Sequence, residues 1–222
     1  GRVGEDGWVP ALRLAHRGDW RRAPENTVAA LLAALDVPAC DGLEFDVRVA
    51  ADGTPVVIHD ETLDRVQGRQ GRVDGLGVDA LTAVGVPTLA DVLARIPDRA
   101  FLDIELKGLH DRAVVEVVAA GRGSGLPGAV ISSFEAATLE RIGGHAPTWP
   151  RWLNAEDLSA STVALAVELG CRGISAEWRA IDARAMARAR AAGLEIAAWT
   201  VRRRPTFTRL ERLGVVAVCV EA

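Results

Sequence analysis

Eight short apolar runs, most of them separated by one amphipathic segment, constrain this chain more than any other feature. The runs are Leu12 to Arg17, Leu43 to Val47, Phe101 to Lys107, Ala129 to Phe134, Thr148 to Leu153, Gly173 to Glu177, Glu195 to Thr200 and Val216 to Glu221. Helical spacing occurs over 25–36, 88–96, 110–120, 135–142, 160–169, 182–192 and 205–213. A helix between two strands carries the chain back to the start of the sheet, so the strands run parallel with the helices outside. Eight strands in 222 residues predict the α/β class and a closed (β/α)8 TIM barrel, built as one domain over residues 1–222. Pro24 is expected to open the first helix, Asp182 to cap another, and Gly193 and Gly214 to end two more. No helical pattern follows the eighth run, so residues 1–11 are expected to cover part of the barrel.

Within this frame, LEFDVRVAADGTPVVIHD from Leu43 to Asp60 carries the densest chemistry. Its first half alternates, so Glu44, Asp46 and Arg48 share one face of a strand while Phe45, Val47 and Val49 share the other. Asp52-Gly53 between strand-like runs signals a hairpin. A two-residue turn there pairs residues whose numbers sum to 105, with His59 opposite Asp46. Cross-strand partners lie about 4.5–5.5 Å apart at Cβ. The returning strand, Pro55 to His59, runs antiparallel and is a small β-hairpin extension after strand two. The glycine-rich span from Gly68 to Gly85 reads as a short loop insertion, a connector to the next helix.

A single hairpin with two acids and a histidine is usually a solvated face. Other residues change that weighting. Strand one ends in His16-Arg17-Gly18, strand two carries Glu44 and Asp46, and strand three ends in Ile104-Glu105-Leu106-Lys107. All fall at C-terminal strand ends, where barrels of this kind hold their active sites. Glu44, Asp46 and Glu105 form an oxygen-only set suited to one divalent cation, Mg²⁺ or Ca²⁺, rather than zinc. Arg17 and Lys107 beside it form a receptor for a phosphodiester. His16 and His59 can divide acid and base duties, since imidazole titrates near neutrality.

Other polar residues receive structural readings. Asp103 sits deeper and is expected to partner a basic side chain, and His110 and His145 are read as bystanders. Ser132 and Ser133 fit either a ligand contact or ordinary strand-end bonding. Trp20, Trp152, Trp178 and Trp199 fall near predicted strand ends at the mouth. Trp199 is expected to line the pocket, because an aromatic face can hold a quaternary ammonium or a glycerol backbone.

Composition narrows the partners. With 49% hydrophobic residues the chain can fill one core, and a net charge of −4 leaves no basic footprint for nucleic acid. No window approaches the ~18 apolar residues of a membrane span, so a small soluble substrate, no stable membrane anchor and a cytoplasmic setting are expected. Cys40, Cys171 and Cys219 are spaced as free thiols. The oligomeric state stays open.

HRGDWRRAPENT at 16–27, EFDV at 44–47, DGTPVVIHDETLDR at 52–65, IELK at 104–107, SSF at 132–134 and AWTV at 198–201 resemble, in order, the signature blocks of the glycerophosphodiester phosphodiesterase family. The resemblance implies a TIM barrel, a divalent cation, and hydrolysis of diesters such as glycerophosphocholine or glycerophosphoethanolamine to glycerol 3-phosphate and an alcohol. It also implies His16 and His59 as the acid/base pair, Glu44, Asp46 and Glu105 as ligands, and Arg17 with Lys107 on the phosphate. The pattern is departed from at three places: Val66 replaces a threonine, Arg202 an asparagine, and Cys219-Val220-Glu221 a threonine-aspartate near a proline. A lysophospholipase D or cyclising phospholipase on the same scaffold is an alternative, and so is a barrel that binds phosphorylated ligands without turnover.

Overall fold

The structure, a computed structural model, describes residues 10–221. Its strands are β1 (Leu12–His16), β2 (Gly42–Val49), β3 (Pro55–Val57), β4 (Phe101–Leu106), β5 (Ala129–Ser133), β6 (Arg151–Ala155), β7 (Gly173–Glu177), β8 (Glu195–Val201) and β9 (Ala217–Val220). The sheet order is β1-β9-β8-β7-β6-β5-β4-β2-β3, and β1 also pairs with β2. Eight parallel strands therefore close on themselves as a TIM barrel, and β3 stands outside the ring. Helices α1 (Val28–Leu35), α4 (Leu89–Arg95), α5 (Arg112–Arg122), α6 (Ala136–His145), α7 (Ala160–Glu168), α8 (Ala183–Ala191) and α9 (Arg204–Leu213) connect the strands. Two one-turn helices, α2 (Asp64–Gln67) and α3 (Val78–Thr82), follow the hairpin. Among the described residues no helix is long and apolar enough to cross a membrane.

Period-two alternation sorts each barrel strand between two environments. Phe45 and Val47 on β2, with Leu102 and Ile104 on β4, pack against Leu31 of α1 and Val92 and Leu93 of α4. Each such side chain, fully buried, is worth roughly 1.5–3 kcal/mol. The opposite faces of the strands fill the barrel. Leu14, Val130, Trp152, Ala197 and Ala217 form one apolar layer near the strand beginnings, leaving the layers above to polar residues.

Local signals set several boundaries. Asp182 caps α8 by accepting from the Ala185 N–H at 2.7 Å, and Gly214 ends α9 in the left-handed region, both as expected. Pro24 does not open the first helix. Thr27 is the cap, its hydroxyl oxygen accepting from the Ala30 N–H at 3.2 Å, so α1 starts at Val28.

Three other expectations change. The observed hairpin pairs Val47 with Val57, Arg48 with Val56 and Val49 with Pro55, numbers that sum to 104. The turn holds three residues, Ala51 to Gly53, and Gly53 at φ +86 closes it. His59 therefore does not sit across from Asp46; Ile58 does, donating its N–H to the Asp46 carbonyl. The span from Gly68 to Gly85 is more than a connector: its Val73 and Leu81, with Val86 just after it, join Val56, Ile58 and Leu63 in a small core of their own. Finally, β6 begins at Arg151 rather than Thr148, because Pro150 has no N–H for the ladder. Trp152 thus lies at the base of the barrel, stacked with Phe101 and donating to Glu195, and not at the mouth. The proposed covering segment, 1–11, falls outside the described residues apart from its end, where Ala11 packs against the β8–α9 core.

Candidate active site

Parallel register brings the acids together before any side chain is placed. Asp46 of β2 pairs with Glu105 of β4, and Glu44 pairs with His16 of β1 on one side and Asp103 of β4 on the other. One oxygen each of Glu44, Asp46 and Glu105 lies within 4.8 Å of the others, all at the C-terminal mouth. His16 Nε2 is 3.8 Å from Glu44 Oε2. Arg17 Nε is 3.0 Å from Asp46 Oδ2, Lys107 Nζ is 3.3 Å from Asp46 Oδ1, and Lys107 also pairs with Glu105.

His59 reaches the same patch by leaving the ladder, not by the cross-strand position expected of it. Its Nδ1 lies 2.6 Å from Asp60 Oδ1, and Arg65 Nε donates to the other Asp60 oxygen at 2.6 Å. Two residues on from the barrel-filling Ala197, Trp199 stands on the inner face near the mouth, where its indole N–H donates to the Ser175 carbonyl and its ring meets Phe134 edge-on at 5.5 Å. All eight sequence-derived residues, His16, Arg17, Glu44, Asp46, His59, Glu105, Lys107 and Trp199, thus stand at one mouth.

The electrostatics are set by burial and by unequal pairing. Burial raises Glu44 well above the ordinary carboxylate range, and the charges of Asp46, Glu105 and Asp103 raise it further. Burial opposes ionisation of Asp46 too, but Arg17, Lys107 and His59 outweigh it and hold this carboxyl low. Glu105 is raised, by burial first and then by Asp46, with Lys107 opposing. His16 falls to about 4 through burial and the Arg17 charge, so it is neutral at neutral pH. Burial lowers His59 as well, against the pull of Asp46 and Asp60.

Among the described residues, the buried Glu44 Oε1 accepts no hydrogen bond, and Asp46 Oδ1 has only the Lys107 ammonium, 3.3 Å away. An unsatisfied buried oxygen is costly, and three converging carboxylates compound the cost. A hard divalent cation offsets both at once, and the all-oxygen donor set fits one.

Known proteins resemble this chain in sequence and fold. The sequence profile of the Glycerophosphoryl diester phosphodiesterase family matches residues 16–222. The chain belongs to that family. A glycerophosphodiester phosphodiesterase of Bacillus subtilis (strain 168) is 27% identical over 93% of this chain and 82% of its own length. One from Caldanaerobacter subterraneus is 38% identical, but that match spans only 45% of this chain and 46% of the relative. Among solved structures, an Oleispira antarctica phosphodiesterase in complex with the product sn-glycerol-3-phosphate superposes with a TM-score of 0.85, at 26% identity over 95% of this chain and 93% of that one. A glycerophosphodiester phosphodiesterase from Agrobacterium tumefaciens gives 0.79, at 27% identity over 95% and 96%.

As a member of this family of phosphoric diester hydrolases, the chain carries supporting residues that periodicity does not reveal. Asn26 Nδ2 donates to Asp46 Oδ2 at 2.9 Å, and its Oδ1 accepts from the Asp46 N–H at 3.4 Å. Glu25 bridges Arg17 Nη1 at 3.0 Å and both terminal nitrogens of Arg65. Both sit in the PENT tetrad, inside a quoted block. Arg17 at φ +58 and Asn26 at φ +59 adopt the left-handed region that non-glycine residues avoid, which marks the loop as held for its site. The same loop needs Gly18, where a Cβ would come within 2.5 Å of the Ala30 backbone.

Some expected roles change. Among the described residues Asp103 has no basic partner within ion-pair reach; the Ser132 hydroxyl donates to it at 2.6 Å, and burial pushes it up to about 7. Ser133 donates to the Leu106 carbonyl at 2.7 Å and accepts from the Glu135 N–H, so both serines serve the strand ends. His110 is buried with Nε2 at 3.0 Å from the Val47 carbonyl and 3.1 Å from that of Lys107, bracing the ends of β2 and β4. His145 pairs with Asp111 on the surface.

Proposed function

We propose that this chain hydrolyses glycerophosphodiesters to glycerol 3-phosphate and an alcohol, using one divalent cation, Mg²⁺ or Ca²⁺, at Glu44, Asp46 and Glu105. The carrying observation is the convergence of those carboxylates, Glu44 with an unbonded buried oxygen, beside Arg17 and Lys107. When bound, the cation would polarise a non-bridging phosphate oxygen. Arg17 and Lys107 then face the remaining charge as it builds. His16, held neutral, is suited to accept a proton from the attacking hydroxyl. His59, with Nδ1 facing Asp60, can in its protonated form donate from Nε2 to the leaving alcohol.

The test is an assay of purified chain for glycerol 3-phosphate release across a panel of glycerophosphodiesters, with and without chelator. Release that needs Mg²⁺ or Ca²⁺ and is restored by adding it back is expected. Turnover indifferent to chelation would remove the assigned cation, and no release with any cation would end the hydrolytic reading. Exposed Leu109 and Phe134 beside the mouth favour one secondary reading, acceptance of acylated diesters as in a lysophospholipase D. Including a lysophospholipid in the panel decides it.

A further inference from the structure

One side chain outside the proposed catalytic set, Arg65, ties the β1–α1 loop to the segment after β3. Its Nε and Nη2 donate to the two oxygens of Asp60 at 2.6 and 3.1 Å, and its Nη1 and Nη2 donate to the two oxygens of Glu25 at 2.9 and 2.7 Å. Each carboxylate is engaged a second time, Asp60 Oδ1 by His59 Nδ1 at 2.6 Å and Glu25 Oε1 by Arg17 Nη1 at 3.0 Å. We infer that Arg65 is a positioning residue that fixes His59 through Asp60 and Arg17 through Glu25, so that one side chain sets the proton donor against the phosphate-binding guanidinium; this rests on the hydrolytic reading above.

The residue type follows from the geometry. A planar guanidinium fork can serve two carboxylates at once, whereas a lysine ammonium is a point charge that can favour either but cannot hold both in one plane. Hydrogen bonding from Arg65, against burial and with help from His59, brings the Asp60 carboxyl down to about 2. Asp60 is therefore an ionised acceptor near neutrality. The hydrogen in the short contact then belongs to His59 Nδ1, which leaves Nε2 as the nitrogen for proton transfer. Burial opposes ionisation of Glu25, but bonds from Arg65 and Arg17 outweigh it. Arg17, with Nη1 on Glu25 and Nε beside Asp46, is thus gripped from two directions.

The fold supplies a fixed base for this fork. Leu63, buried in the hairpin core with Val56 and Ile58, anchors the start of one-turn α2, which carries Arg65. On the same segment Arg48 Nε donates to the His59 carbonyl at 2.7 Å, so the His59 backbone is held independently of its ring. The Arg65 side chain itself is half-exposed, and replacing it opens no cavity in either core.

The experiment measures kcat and KM for a glycerophosphodiester, and calorimetric affinity for sn-glycerol 3-phosphate, at saturating Mg²⁺ and separately Ca²⁺. Arg65→Ala should lower kcat and raise KM by roughly tenfold each, the scale of a small misplacement of reacting groups, with at most a small fall in melting temperature. The two losses should separate. In an Asp60→Asn background Arg65→Ala should cost no further kcat, and in a Glu25→Gln background no further KM. Arg65→Lys should behave like Arg65→Ala, and millimolar guanidinium ion should restore part of the lost kcat to the alanine variant alone. Unchanged kcat and KM, full additivity in both backgrounds, or recovery by lysine overturns the inference. If the unaltered chain turns over no diester, the hydrolytic reading fails, and affinity decides the clamp: about tenfold weaker glycerol 3-phosphate binding in Arg65→Ala upholds the hold on Arg17. Equal affinity, or none in either chain, overturns it.

Discussion

The two halves of the mouth hold similar residues in opposite states. On the β1, β2 and β4 side, Glu44 and Glu105 are buried, crowded by like charge and raised in pKa, while Arg17 and Lys107 both lean on Asp46. On the β7 to β9 side, Glu177 and Glu221 each have a private arginine in a partly open groove. Pairing a half-buried acid with one exposed arginine contributes little to stability. Gathering three buried acids around two bases is not, and a fold tolerates it where a cation completes the set. The contrast separates a centre whose acids crowd together from a wall where Glu177 and Glu221 are each already paired.

The strongest way to break the contrast is to relieve the crowded side. Glu44→Gln removes the most strained carboxylate, so the chelated protein should melt higher while cation affinity and turnover fall, turnover by about 10²-fold or more. Calorimetric titration and a thermal melt in chelator check both halves. Loss of stability in chelator would mean Glu44 is satisfied in a way its orphaned Oε1 does not suggest. Next in size, His16→Ala and His59→Ala should each lower kcat by roughly 10²-fold with little change in cation binding. If either variant retains full kcat, the proton-transfer pair must be drawn from other residues.

How far the sequence could be read follows the same division. Strand and helix alternation is a repeated, local signal, and it located the eight barrel strands and the end of each at which the acids stand. The hairpin register was missed by one residue because Asp-Gly serves two-residue and three-residue turns alike. Asp52 is also used by the fold, accepting from the Thr54 and Val78 N–H groups, a tertiary tie that no local pattern announces. Trp152 was misplaced for a small reason: moving a strand start past Pro150 carries its residues to the other end of the barrel. Asn26 and Glu25 act through a left-handed loop and contacts at sequence separations of 20 and 40, which period-based reading does not reach.

Asn26 sharpens the comparison at intermediate scale. Asn26→Gly keeps the backbone conformation and deletes the amide that donates to Asp46, whereas Asn26→Ala deletes it and adds left-handed strain of about 1–2 kcal/mol. Both should weaken cation binding by roughly tenfold, as loss of a residue that orients a ligand does. Only the alanine variant should also lower the melting temperature markedly. Equal melting temperatures would show that the strain at φ +59 is relaxed in solution.

The smallest effect lies on the paired side, where it has the clearest sign. Hydrogen bonds from Arg202 hold Glu221 below its ordinary value of 4.5, against the pull of burial. A carboxyl lowered on folding contributes stability that is fully present above that ordinary value and is lost as pH falls through the lower, folded one. Arg202→Ala removes the contribution, so its acid-unfolding midpoint should move slightly upward while stability in acid well below both values stays unchanged. The shift should be modest and should shrink further in high salt, because Arg202 is mostly exposed. A large, salt-insensitive loss would mean that this pair holds β8 to β9 as a structural clasp, and that the two halves of the mouth differ less than their pairing suggests.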